Sequence, residues 1–98
     1  MEKILNKSDL ITKLSIKFDN LPEKLVEEAT KQIIDLMVDT LANDGRVEVR
    51  GFGSFSLHHR APRLARNPKT GQKVEVKATA IPHFKPGKAL REAVNHSI

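Results

Sequence analysis

The sequence predicts an α+β fold in which two helices precede a three-stranded antiparallel sheet and one short helix closes the chain. Three observations carry this. Apolar residues recur at helical spacing up to Leu41, alternate strictly through Arg46 to Arg50, again through Ser54 to Arg60 and through Lys73 to Lys77, and return to helical spacing after Pro86. At 98 residues the chain fits one domain, 1–98, and a domain this small buries a modest core, so an oligomer is expected.

Asn6, with Asp9 three residues on, forms a carboxylate version of a capping box, and Leu10, Ile11, Leu14 and Phe18 follow on one helical face. Asp19-Asn20-Leu21 interrupts that helix, and Pro22-Glu23 suits the first turn of a second. Val26, Ala29, Ile33, Met37 and Leu41 trace an apolar stripe along it until Asn43-Asp44-Gly45 stops it, which gives a helical body at about 6–43. The period then changes to two. Arg46 to Arg50 reads as a half-buried strand, Gly51-Phe52-Gly53 as a tight connection, and Ser54 to Arg60 as a second strand with Phe55, Leu57 and His59 on one side. Lys73 to Lys77 reads as the returning antiparallel partner. Sheet and projecting arm together occupy about 46–82, the arm about 60–77. Pro86 suits the first turn of a last helix at about 86–95, with Ala89, Leu90, Ala93 and Val94 as its apolar face.

Charge locates the working surface. The chain carries a net +5, yet Met1 to Arg50 holds 8 Lys/Arg against 10 Asp/Glu, while Gly51 to Ile98 holds 9 against 2. A polyanionic partner facing the second half follows from that imbalance. Within the arm, Arg60, Arg63, Arg66, Lys69, Lys73 and Lys77 are set against a single acid, Glu75, and Asn67 to Gly71 is rich in turn formers around Pro68. Flanks of about 7 residues at roughly 3.3 Å each would carry the tip about 23 Å, comparable to the width of a duplex. Charge alone equally describes a solvated edge hairpin blunted by lysines. The arginines suit a narrow minor groove, and a proline ring at the tip is a rigid apolar wedge for a base step. A two-stranded ribbon is marginal by itself, so it is expected to order on DNA. Lys7-Ser8 and Lys85 with Gly87-Lys88 add cations at the starts of two helices, where phosphates bind well and which ordinary capping with incidental lysines describes equally.

Other chemistries find little support. The chain has no cysteine, which fits a reducing cytoplasm, and no run nears the roughly 18 apolar residues of a membrane span. Its start lacks a signal peptide's apolar stretch, so a soluble intracellular protein without a membrane partner is expected. His58 and His59 are adjacent on a strand and point to opposite faces, while His83 and His96 lack a metal-ligand frame. No enzyme activity, metal or cofactor is expected. An RNA-binding module would need an aromatic stacking pair or a G-x-x-G clamp, and Phe52, Phe55 and Phe84 read instead as core.

Gly51-Phe52-Gly53-Ser54-Phe55, together with Arg60, Arg63 and Arg66-Asn67-Pro68-Lys69-Thr70-Gly71, resembles the signature of the bacterial HU and integration host factor family. Asn6-Lys7-Ser8-Asp9-Leu10-Ile11, Arg46 to Leu57 and Pro82-His83-Phe84-Lys85-Pro86-Gly87-Lys88 are similar to its beta-type integration host factor branch. The resemblance, covering Asn6 to Val94, implies an intertwined dimer whose helices form a body and whose β-ribbon arms embrace duplex DNA. It implies a nucleoid-associated, cytoplasmic protein that bends A·T-rich or flexible sites in recombination, replication and transcription control, paired with an alpha-type subunit; an HU-like homodimer of little sequence preference is the alternative. Pro68 would be the intercalating wedge, with Arg60, Arg63, Arg66, Asn67, Lys69 and Lys73 along the groove. Glu48 and Arg50 would bear on sequence preference, and Lys7, Ser8, Lys85 and Lys88 would hold flanking phosphates. Leu64-Ala65 stands where the family commonly has Thr-Gly, and the Met1 to Leu5 extension has no clear counterpart.

Overall fold

A helix leaves its first backbone N–H groups without partners, and Asn6 supplies one. In the computed structural model, which describes residues 3–96, Asn6 Oδ1 accepts from the Asp9 N–H at 2.9 Å and the Asp9 carboxylate accepts from the Asn6 N–H at 3.3 Å, closing the box that the sequence predicts. Met1 and Glu2 of the N-terminal extension lie outside the described residues. Helix α1 then runs Lys7–Lys17 and helix α2 Glu23–Ala42. Pro22 stands just before α2, its carbonyl accepting from Leu25 and Val26. On α2, Val26 and Thr30 are buried, and the Thr30 hydroxyl donates to the Val26 carbonyl at 2.8 Å, so its polar group is satisfied within the helix. Asp44 ends α2 in the left-handed conformation at φ 63°. The Gly45 N–H reaches back to the Thr40 carbonyl at 2.8 Å and the Asp44 N–H to Leu41 at 3.0 Å, a Schellman closure.

The described residues gather into two compact units that divide between Asp39 and Thr40. The first holds α1 and most of α2. The second holds the end of α2, five strands and helix α3, Lys88–His96.

The strands are β1 Val47–Val49, β2 Gly53–Arg60, β3 Arg63–Arg66, β4 Lys73–Val76 and β5 Thr79–Pro86. They form two antiparallel sheets: a body sheet in the order β1-β2-β5 and a separate ribbon of β3 and β4. The three-stranded sheet and its arm are therefore present, but the third strand of the body is not the one expected. Lys73 to Val76 pairs with Arg63 to Arg66, and the long partner of β2 is β5, matched residue for residue from Gly53 with Pro86 to Arg60 with Thr79. Two prolines, Pro82 and Pro86, obscured β5 in the sequence; a proline lacks the N–H a ladder uses and lowers any strand reading. Pro86 closes β5 instead of opening the last helix, which begins at Lys88 behind Gly87.

Alternation along β2 sorts the body sheet into two faces. Val47, Phe55 and Phe84 are directly paired across it, and the Phe84 ring packs against Phe55 at 4.7 Å and Phe52 at 5.3 Å, so the three rings expected as core do cluster, with Phe55 and Phe84 half-buried and Phe52 exposed. Gly53 is fixed by this packing. A Cβ there would lie 2.6 Å from both the Phe84 ring and the Lys85 carbonyl oxygen, so only glycine lets β2 approach β5 at its end.

Candidate nucleic-acid interface

The arm is built by its tip. Asn67 accepts through Oδ1 from the Lys69 N–H at 2.9 Å, its carbonyl accepts from the Gly71 N–H at 2.7 Å, and its own N–H donates to the Gln72 carbonyl at 2.8 Å. Gly71 takes φ 72°, a conformation that a side chain resists. Pro68, one residue into this turn, is exposed, and its ring needs no backbone donor to be satisfied there. Asn67 is thus a turn builder, with its side-chain oxygen already engaged.

Below the tip the register divides the cations. Arg66 is paired directly with Lys73 and Leu64 with Glu75, whereas Arg63 is paired with Val76 and Ala65 with Val74. Alternation therefore places Arg66, Lys73, Leu64 and Glu75 on one face of the ribbon and Arg63, Ala65, Val74 and Val76 on the other. Leu64 is 70% exposed. Like charges directly opposed across two strands repel, so Arg66 and Lys73 favour an anion set between them. Ala61-Pro62 on one side and Lys77-Ala78 on the other lie outside both sheets, where the chain passes from body to arm. Arg60 closes β2 just before this junction.

On the body, Glu48 and Arg50 do not meet. Glu48 is held by Arg46, whose Nε lies 2.8 Å from its carboxylate and whose guanidinium also donates to Ser54 Oγ at 3.4 Å. Arg50 instead occupies the turn between β1 and β2, exposed, in the loop closed by the Phe52 N–H on the Val49 carbonyl. Arg46 was not singled out in the sequence, although strand alternation places it on the Glu48 face. Arg46, Glu48, Arg50, Ser54 and Lys85 line one open recess of about 520 Å³ at this end of the sheet. Lys88, the first residue of α3, stands 3.8 Å from Glu92 and is exposed. Lys7 opens α1, and the Ser8 hydroxyl donates to Asn6 Oδ1 at 2.7 Å, which makes Ser8 part of the cap. Lys7 and Ser8 lie in the first compact unit and the other candidates in the second.

The histidines separate as expected on adjacent strand positions. His59 Nε2 lies 2.7 Å from Asp44 Oδ1, and His58 stacks on His83 on the other face. Among the described residues, no three His, Cys, Asp or Glu side chains come together to hold a metal ion, and no helix is long and apolar enough to cross a membrane.

The bacterial DNA-binding protein family model matches residues 5–95. The chain belongs to that family. Its relatives in the bacterial DNA-binding protein family include the integration host factor subunit beta of Tolumonas auensis, 58% identical over 91 residues that cover 93% of this chain and 98% of the relative. The corresponding subunit of Colwellia psychrerythraea is 55% identical over 94 residues, covering 96% and 99%. Among solved structures, an Anabaena HU–DNA cocrystal structure superposes with a TM-score of 0.77 at 31% identity, over 91% of this chain and 96% of that one. The fold is HU-like, and the function is that of an architectural DNA-binding protein. The integration host factor beta relationship is favoured over an HU-like one.

Proposed function

We propose that this chain acts as the beta-type half of a dimer that bends duplex DNA, with Pro68 as the wedge and the two faces of the arm as the minor-groove lining. The observation that carries it is the construction of the tip: Asn67 and Gly71 hold a turn that presents an exposed proline, directly above a cationic cross-strand pair. Inserting an apolar wedge unstacks a base step, and the larger protein surface that a bent duplex wraps offsets that cost. Arg66 and Lys73 would meet phosphates along one wall of the groove and Arg63 along the other. Lys69 extends the charge to the tip and Arg60 to the junction. Glu48, Arg50, Lys85 and Lys88 would meet the flanking duplex from the body, with Lys7 and Ser8 at the start of α1.

A dimer is supported by what the lone chain leaves uncovered. Among the described residues only Val26 and Thr30 are buried, while Leu25, Ile33 and Val38 of α2 are 53%, 61% and 58% exposed. Helix faces of this kind are the core of a small protein once a second subunit covers them. The sequence identity to beta subunits supports an alpha-type partner over a second copy. Placement in the bacterial nucleoid follows from the DNA it binds.

The test is a titration of a bent A·T-rich duplex and of a random duplex at several salt concentrations, with and without an alpha-type partner. A heterodimer that binds the bent site at least about tenfold more tightly, with a steep inverse salt dependence, is the expected result. Equal affinity for both duplexes by the chain alone would favour an HU-like homodimer.

A further inference from the structure

The face of the body sheet opposite the aromatic core carries a feature that the arm does not account for. Ser56 is paired with His83 and Ser54 with Lys85 across β2 and β5, so Ser54, Ser56, His58 and Arg60 share a face with Ile81, His83 and Lys85. His58 and His83 lie on a diagonal of that register. Their rings stack with centroids 4.3 Å apart and 19° between the planes, and both residues are exposed. Neither ring has a hydrogen-bond or ion-pair partner among the described residues. His59, on the other face, differs in just this respect because Asp44 holds it.

The charges that face the pair come from all three strands of the sheet. From β2 there is Arg60, from β5 Lys85, and from the β1 side Arg46 and Glu48, which neutralise each other at 2.8 Å. The face therefore holds uncompensated cations and, among the described residues, no uncompensated acid. Imidazole is the side chain whose charge ordinarily changes between pH 5 and 8. Two positive rings at this spacing would repel, and a phosphate placed against them would remove that repulsion.

We propose that His58 and His83 form a proton-dependent phosphate contact on the polar face of the body sheet, separate from the arm, so that duplex binding takes up protons. The proposal rests on the DNA-binding reading above and adds a site and a pH dependence to it. The sign follows from linkage: bound phosphate favours the charged rings, so the added affinity is greater in acid and falls as pH rises. Each ring that becomes charged and meets a phosphate also releases condensed counterions.

The experiment measures duplex affinity of the full-length dimer at pH 5.5, 6.5, 7.5 and 8.5, at fixed ionic strength and with a chelator present, and repeats the salt titration at the two extremes. The wild type is expected to tighten by about fivefold or more from pH 8.5 to 5.5, and its log–log salt slope to steepen by about 0.9 for each phosphate that gains a cation. His58→Gln with His83→Gln should abolish both changes while leaving affinity at pH 8.5 within about twofold, and His59→Gln should keep both. Because stacked rings also pack, proton uptake by the wild type is read independently from the binding heat at pH 6.5 in buffers of different ionisation enthalpy. A buffer-independent heat, or an unchanged pH profile in the double variant, overturns the proposal while leaving DNA binding intact. Absence of duplex binding at every pH overturns both readings.

Discussion

Arg66 and Lys73 stand directly opposite one another across the arm, two cations on neighbouring strands of a ribbon only four residues long on each side. In water such a pair weakens the ribbon, and the proposed contact with duplex phosphates would neutralise it. The same two residues would then make the free arm less stable and the bound arm more so, which would link arm order to the presence of a polyanion.

Replacing both, Arg66→Ala with Lys73→Ala, should flatten the log–log salt dependence of duplex binding by about 1.8, since each phosphate contact contributes about 0.9. Arg63→Ala alone should remove about 0.9. Affinity titrations over a fourfold range of salt check both; a slope unchanged in the double variant removes the arm from the phosphate contacts.

Pro68→Ala should change shape more than strength. The turn is held by Asn67 and Gly71 and survives the substitution, so affinity is expected to fall by less than about tenfold while the bend angle contracts, as the unstacking wedge is gone. Energy transfer between dyes at the duplex ends reads the angle directly. An unchanged angle would remove the wedge role.

Gly53→Ala should destabilise the body at a position that is not itself a proposed DNA contact. The new methyl meets the Phe84 ring and a backbone carbonyl at 2.6 Å, and the carbonyl cannot yield, so a loss of about 1–3 kcal/mol is expected. Thermal denaturation at fixed protein concentration measures it, and a melting temperature within a degree of wild type would contradict the packing described.

Asn6→Ala should cost about 1 kcal/mol, because it leaves the Asp9 N–H and the Ser8 hydroxyl without their shared acceptor. Asn6→Asp should restore most of the loss. Chemical denaturation of the two variants side by side separates a capping role from a general effect of substitution.

Local chemistry was the legible part of this chain. The capping box at Asn6, the stop at Asp44-Gly45, the clustering of Phe52, Phe55 and Phe84 and the turn around Pro68 each follow from a few neighbouring residues, and each is found in place, although Phe52 stays exposed at the edge of its cluster. Pairing between distant strands was harder to read. Val74 and Val76 alternate as convincingly for a body strand as for an arm strand, and nothing within Lys73 to Lys77 says which partner it takes. Pro82 and Pro86 hid β5 because each removes a ladder donor, yet Pro82 sits opposite Leu57 within the sheet and Pro86 opposite Gly53 at its end. At the site, the arm cations were legible from composition, but their division between two faces required the register. The Arg46–Glu48 pair and the His58–His83 stack were missed for different reasons. Alternation could have found the first, whereas the second depends on a diagonal contact that no single strand reveals.

The unpaired junctions at Ala61-Pro62 and Lys77-Ala78 have a mechanical consequence. Hydrogen bonds propagate cooperativity along a sheet, and here that propagation is interrupted on both legs of the arm, with Pro62 unable to donate. Amide exchange should accordingly resolve into two classes, slow through β2 and β5 and fast through β3 and β4, with the fast class slowed the more when a duplex is added. On the proposed reading, the arm could then order on a duplex without disturbing the scaffold beneath it, which divides adaptability and support between different stretches of one short polypeptide.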